Sequence, residues 1–247
     1  MTTELDRRSF VQTGSALTAG AAMAAAIWPA EAAAQTPAPA PATTPAPTTA
    51  KPMTFTPKPM PFDPKKIKGL SEKLLVSHYD NNYTGAVKRL NAILEQLAGL
   101  DYAKAPGFLI NGLKREELIA TNSMILHEVY FAGLGDESQP GEALSEALAR
   151  NFGSLDRWRA EFVAMGKAEG GGSGWVVLNW DPRDKRLVNA WAADHTTTLA
   201  GGRPILVLDM YEHAYHMDYG AKAGDYVEAY MHAIRWNSAD NLYAQYS

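Results

Sequence analysis

The run Pro204-Ile205-Leu206-Val207-Leu208 constrains the fold of this chain more than any other stretch. Five apolar residues in succession have the length and composition of a buried strand. The run ends on Asp209, which places a carboxylate where that strand stops. His213 follows four residues later, about one helical turn if the chain winds up there. A carboxylate and an imidazole brought together in this way can share one cation. The same spacing also suits a capping Asp before a helix and a histidine packed inside it. The octapeptide leaves both readings open.

The chain contains six histidines: His78, His127, His195, His213, His216 and His232. His78 lies in Leu74-Leu75-Val76-Ser77-His78-Tyr79 and His127 in Met124-Ile125-Leu126-His127, both on helical patterns flanked by core residues. Three histidines and one carboxylate, drawn from three separate elements, would make a closed mononuclear set. Mixed nitrogen and oxygen ligands suit Mn, Fe or Zn, and a position left open for solvent marks a catalytic site.

These residues carry a resemblance. Asp209-x-x-Glu212-His213-Ala214-Tyr215, with Gly172-Ser173-Gly174-Trp175 upstream, resembles the iron/manganese superoxide dismutase family. Ser77-His78-Tyr79, followed by Val87 and Leu90-Asn91, is similar to that family's first ligand helix. Leu126-His127-Glu128-Val129-Tyr130-Phe131 is similar to its second. The resemblance spans about residues 60–247 and implies one Fe or Mn per subunit, held by His78, His127, Asp209 and His213 with a bound solvent. Superoxide is the implied substrate, converted to oxygen and hydrogen peroxide, and a homodimer the implied assembly. Zinc fits the ligands but cannot cycle between redox states.

The resemblance also implies roles around the ligands. Glu212 would cross the dimer interface to the other subunit's ligand histidine. His195 stands where manganese enzymes usually carry a solvent-binding Gln, and Trp175 and Tyr211 would wall the pocket. The family's first helix usually reads His, Tyr, two residues, a His pair, two residues and a gating Tyr. Here the run is His78-Tyr79-Asp80-Asn81-Asn82-Tyr83-Thr84-Gly85-Ala86. Ala86 replaces the gating Tyr, Asn82 its partner His, and His216 the Tyr that meets that His across the interface. Basic residues of the family's entrance are absent at Asn81 and Ala223, although Lys222 is adjacent. At 100° per residue, Ala86 shares the stripe of His78 and Tyr83 lies to one side. We expect Tyr83 or His216 to take part of the missing phenol's role through a water, with His195 and Glu212 completing the surrounding set.

Ahead of this region, Asp6-Arg7-Arg8-Ser9-Phe10-Val11 has the twin-arginine export pattern. An Ala-rich stretch to Trp28 is short for a bilayer span, and Ala32-Ala33-Ala34 offers a cleavage site. Residues 1–34 thus read as a signal peptide for the twin-arginine machinery, giving a periplasmic or secreted protein with no membrane span once cleaved. Residues 35–64 hold ten prolines and read as a Pro/Ala/Thr-rich disordered linker without a core, with Pro61-Phe62-Asp63 able to dock. The chain charge is −4. Two arginines against three acids in residues 1–34 leave about −3 on the mature chain, no footprint for nucleic acid. Cysteine is absent, which excludes disulfides, thiolate zinc sites and iron–sulfur clusters.

The remaining residues suffice for a core. Helical spacing predicts helices over 71–98 and 114–131, joined as an antiparallel hairpin through Asp101–Gly112. Two shorter helices follow at 141–151 and 155–166. Strands are predicted at 175–180, 187–191 and 205–208, and helices at 222–234 and 238–246. This order gives an α+β fold: an N-terminal antiparallel helical hairpin (65–135), then a C-terminal α/β half with a three-stranded antiparallel sheet (136–247). Superoxide dismutation is the expected function. A dismutase-fold metal store or a peroxide-using oxidase is the alternative, with Ala86 its best argument.

Overall fold

The computed structural model describes residues 51–169 and 172–247. The twin-arginine segment and the first part of the Pro-rich stretch lie outside the described residues.

The first helical pattern forms as expected from Ser71, whose hydroxyl accepts the Leu74 amide and caps α1 (Glu72–Ser77). It is not one continuous α-helix. His78–Tyr83 winds as a π turn before α2 (Thr84–Ala98) resumes, and the Thr84 amide bonds to the Tyr79 carbonyl five residues back. α3 covers Gly107–Ala132, seven residues longer at its start than the spacing suggested. Gly107 and Gly112 weaken the helical signal there, but Pro106, extended in front of Gly107, starts the helix cleanly. Tyr83 meets Glu128 while Arg89 meets Glu116, so α2 and α3 run in opposite directions. Leu90, Ile93 and Leu97 of α2 are buried with Ala120 and Met124 of α3 in one core.

α4 (Glu142–Phe152) and α5 (Leu155–Glu169) lead to the sheet of β1 (Trp175–Asp181), β2 (Arg186–Ala192) and β3 (Arg203–Asp209). The order is β2-β1-β3, antiparallel throughout. Central β1 is buried over its first six residues, so it reads as a continuous apolar run instead of an alternation. Val176, Leu178, Leu206 and Leu208 face the main core. Trp175, Val177, Ala192 and Val207 close a second cluster with Leu126 of α3. The helical hairpin and the sheet are thereby joined at the point where β3 ends. The chain finishes through a 3-10 turn at Glu212–Ala214, the short α6 (His216–Tyr219), α7 (Ala223–His232) and α8 (Asn237–Tyr246).

The described part of the Pro-rich stretch corrects its reading as a disordered linker without a core. Residues 51–59 have no regular secondary structure, but they are pinned to the helices. The Phe55 amide and carbonyl both bond to the Asn91 side chain, at 2.8 and 2.9 Å. The Lys58 amide donates to the Tyr83 hydroxyl, and the Tyr79 hydroxyl donates to the Lys58 carbonyl. Proline-rich chain keeps its carbonyls free and extended, and the tyrosines and Asn91 exploit that.

Candidate metal centre

Asp209 is the last residue of β3, paired in register with Trp175. Its two oxygens have separate tasks. Oδ1 accepts the Tyr211 amide at 2.8 Å and shapes the turn after the strand. Oδ2 faces three imidazoles: His78 Nε2 at 3.1 Å, His213 Nε2 at 3.1 Å and His127 Nε2 at 3.5 Å. Asp209 is not a helix cap: the N-cap of the following 3-10 turn is Tyr211, without a side-chain bond, and Oδ1 shapes the turn while Oδ2 is left to the imidazoles.

His78 enters from the first position of the π turn and His127 from α3; His213 comes from the 3-10 turn. His78, His127 and Asp209 are buried, and the His213 side chain is 24% exposed. One donor atom from each lies within 4.8 Å of all the others. His127 Nδ1–H donates to the Ser123 carbonyl one helical turn back, at 2.6 Å, which leaves the Nε2 lone pair aimed at Asp209. The Nε2 atoms of His78 and His127 make no hydrogen bond although they stand close to the carboxylate. Buried, unpartnered ring nitrogens converging on one carboxylate oxygen are costly as they stand, and a divalent or trivalent cation among them satisfies all four at once.

The charges agree with this geometry. Burial, and then the neighbouring His78, drives the His127 pKa down to about 3, so the ring is neutral and able to ligate. Burial likewise lowers that of His78, outweighing the pull of Asp209. Burial alone would raise Asp209, but the histidines, His213 foremost, hold it well below the ordinary carboxylate range. Three imidazoles, those of His78 and His127 held neutral by burial, and one anionic carboxylate form a donor set that fits Fe or Mn.

Around this set, Trp175 Nε1–H donates to His195 Nδ1 at 3.0 Å, which leaves the hydrogen of neutral His195 on Nε2. The His195 ring stacks on Tyr211 at 4.8 Å and lies 6.3 Å from His127. Asn122 of α3 holds the His195 carbonyl at 2.5 Å. Trp175, His195 and Tyr211 thus stand as a wall beside the ligands. Glu212 and His216 are exposed. They do not touch the ligands but line an open cleft of about 610 Å³ with Lys167, Tyr215 and Lys222.

Tyr83 is engaged by the N-terminal arm. The π turn adds a residue to the helical count and changes its phase, so Tyr83 turns inward against Tyr79 and Phe131. Its hydroxyl accepts from the Lys58 amide at 2.7 Å and donates to Glu128 at 3.2 Å. It is committed to the N-terminal arm and makes no bond to a ligand. Ala86 is buried in the main core. Glu128, Lys58 and the Ser123 carbonyl escaped the reading of the sequence. Only Glu128, next to His127, gave a signal, and its partner is remote in sequence.

A helical hairpin joined to a three-stranded sheet, with three histidines and an aspartate at the seam, defines a protein with a candidate metal site in its core. Residues 140–242 match the family model for iron/manganese superoxide dismutases, C-terminal domain. The chain is 67% identical over 179 residues to a Superoxide dismutase [Fe] of Cupriavidus metallidurans, covering 72% of this chain and 91% of that one. It is 34% identical over 179 residues to a Superoxide dismutase [Mn] 2 of Haloferax volcanii, covering 71% and 88%. It is also 34% identical over 179 residues to a Superoxide dismutase [Fe] of Aquifex pyrophilus, covering 69% and 83%. The chain belongs to the iron/manganese superoxide dismutase family.

Proposed function

We propose that this protein is an iron-type superoxide dismutase, exported through the twin-arginine machinery and working as a homodimer. The observation that carries the reading is the convergence of three imidazole Nε2 atoms on Asp209 Oδ2, two of them buried without a hydrogen bond. Fe is preferred because the relative at 67% identity is named for iron. Held by His78, His127, Asp209 and His213, Fe or Mn would supply the one-electron redox chemistry that dismutation requires.

The chain's residues do the rest. Ser123 locks the tautomer of His127, and Asp209 supplies the anionic ligand. The Trp175–His195 bond presents His195 Nε2–H as a donor in the polar wall, and Tyr211 shields it on one face. Glu212 and His216, exposed on the open cleft, are our choice for contact with a second copy, where a two-fold axis would bring the same patch together. Lys222 in that cleft supplies positive charge where Asn81 and Ala223 supply none. No helix among the described residues is long and apolar enough to cross a membrane. A metal store and a peroxide-using oxidase account less well for a family membership that extends over most of the chain.

Metal analysis of the purified mature protein, together with superoxide decay followed by pulse radiolysis, tests this reading. We expect one Fe per subunit and second-order loss of superoxide catalysed in proportion to the iron. A fully loaded protein that leaves superoxide decay at its uncatalysed rate would return the metal-store reading.

A further inference from the structure

We propose that Lys58, in the arm ahead of the first helix, is a brace between the two ligand-bearing helices and sets how firmly the centre holds its metal. The inference rests on the reading of the four-residue set as a Fe or Mn site.

Lys58 is gripped from both sides. Its amide donates to the Tyr83 hydroxyl at 2.7 Å, and its carbonyl accepts the Tyr79 hydroxyl at 2.5 Å. Both tyrosines belong to the six-residue π turn that His78 begins. On the other side, Lys58 Nζ meets Glu128 Oε2 at 2.5 Å, and the Tyr83 hydroxyl donates to Glu128 Oε1 at 3.2 Å. Glu128 directly follows His127 on α3. One residue of the arm is therefore bonded to the neighbours of two ligands carried by different elements. The Tyr83 hydroxyl accepts one bond and donates one, so it is fully used. Tyr83 is 2% exposed whereas the Lys58 side chain is 71% exposed, so the Tyr83 bonds contribute more to the attachment than the ion pair does.

The arm is suited to this task. Pro57 and Pro59 flank Lys58. The second proline keeps Lys58 out of the helical region, and both limit the freedom lost on docking. Packing contributes less, because a cavity of about 100 Å³ lies between the arm and Tyr79, Tyr83 and Phe131. The hydrogen bonds carry the attachment. The ligand segment needs support of this kind, since a π turn is rarer and less favourable than the α-helix on either side. A second anchor, Asn91 on Phe55, holds the same arm farther along α2 and touches no ligand segment.

That second anchor provides the comparison. Tyr83→Phe keeps the ring and removes the grip beside His78; Tyr79→Phe removes the companion bond. Asn91→Ala loosens the arm away from the ligands. We expect each tyrosine variant, fully metal-loaded, to lose metal to a chelator about tenfold faster, the scale for residues that orient ligands. We also expect a shifted metal EPR signal, with Asn91→Ala matching wild type in both. In metal-free protein, amide exchange of residues 78–83 should quicken in the tyrosine variants only. Equal metal loss and equal exchange in all three variants, whatever their melting temperatures, would overturn the brace. Wild-type protein that binds neither Fe nor Mn would end the functional reading instead, and the exchange measurement would still judge the brace.

Discussion

Asp209 shows how one residue can serve the fold and the centre together. Oδ1 closes the turn that ends β3, and that turn delivers His213 to face Oδ2. Asp209→Ala should therefore lose most bound Fe or Mn and also loosen the 211–214 turn. His127→Ala should lose the metal with the turn intact. Metal content by plasma mass spectrometry checks the first effect, and full occupancy in both variants would show that the ligand set is misassigned. The depressed pKa of His127, about 3 when folded, also has a consequence for metal-free protein. A histidine that stays neutral when folded but protonates when unfolded contributes stability above about pH 6.5. That contribution is lost as pH falls from there toward 3. Acid should hence destabilise the metal-free protein progressively over that window, with the loss beginning above the ordinary carboxylate range.

Among the elements, α5 carries an unusual load at its end. Glu169 is 9% exposed, and both its carboxylate oxygens lack a hydrogen bond of ordinary geometry. A Cβ on Gly174 would lie 2.6 Å from one of them. Gly174 has φ +142, so glycine is required there by conformation as well as by space. Burial pushes the Glu169 pKa up to about 8, against a partial lowering by the Trp175 amide. Between about pH 4.5 and 8 the folded chain keeps a proton that the unfolded chain gives up, so stability falls as pH rises through that window. Glu169→Gln does not titrate. At pH 8 it should be more stable than wild type by about 1–3 kcal/mol, the cost of a buried unsatisfied polar group, with little difference at pH 4.5. Guanidinium unfolding of metal-free protein at both values measures this, and a gap independent of pH would remove the titration from the account.

At the scale of the whole chain, the proposed export sequence precedes the arm that docks on the helices. Arg7 and Arg8 stand at the head of residues 1–34, and among the described residues the arm is anchored from Phe55. The proposed twin-arginine route carries folded proteins, so on that route metal would be inserted before export. The double variant Arg7→Lys, Arg8→Lys should accumulate inside the cell as precursor. Cell fractionation that finds it exported normally would defeat the twin-arginine assignment.

The order of helices and strands was legible along the chain because periodicity is local: 3.6 residues for α2 and α3, and apolar runs for β1 and β3. The cluster of His78, His127, Asp209 and His213 was legible through the resemblance its flanking motifs carry. The residues alone left a capping Asp and a packed histidine open. The start of α3 at Gly107 was missed, since a helix held by tertiary packing tolerates glycines that propensity counts against it. The π turn was missed because it has no composition of its own and arises where His78 and Tyr83 must both face inward. The pairing of Lys58 with Tyr83, and of that pair with Glu128, spans 25 and 70 residues. Local pattern does not reach across such distances. Only the packing of α2 against α3, with the arm laid across both, brings those groups within hydrogen-bonding range and turns Tyr83 from the ligands toward the arm.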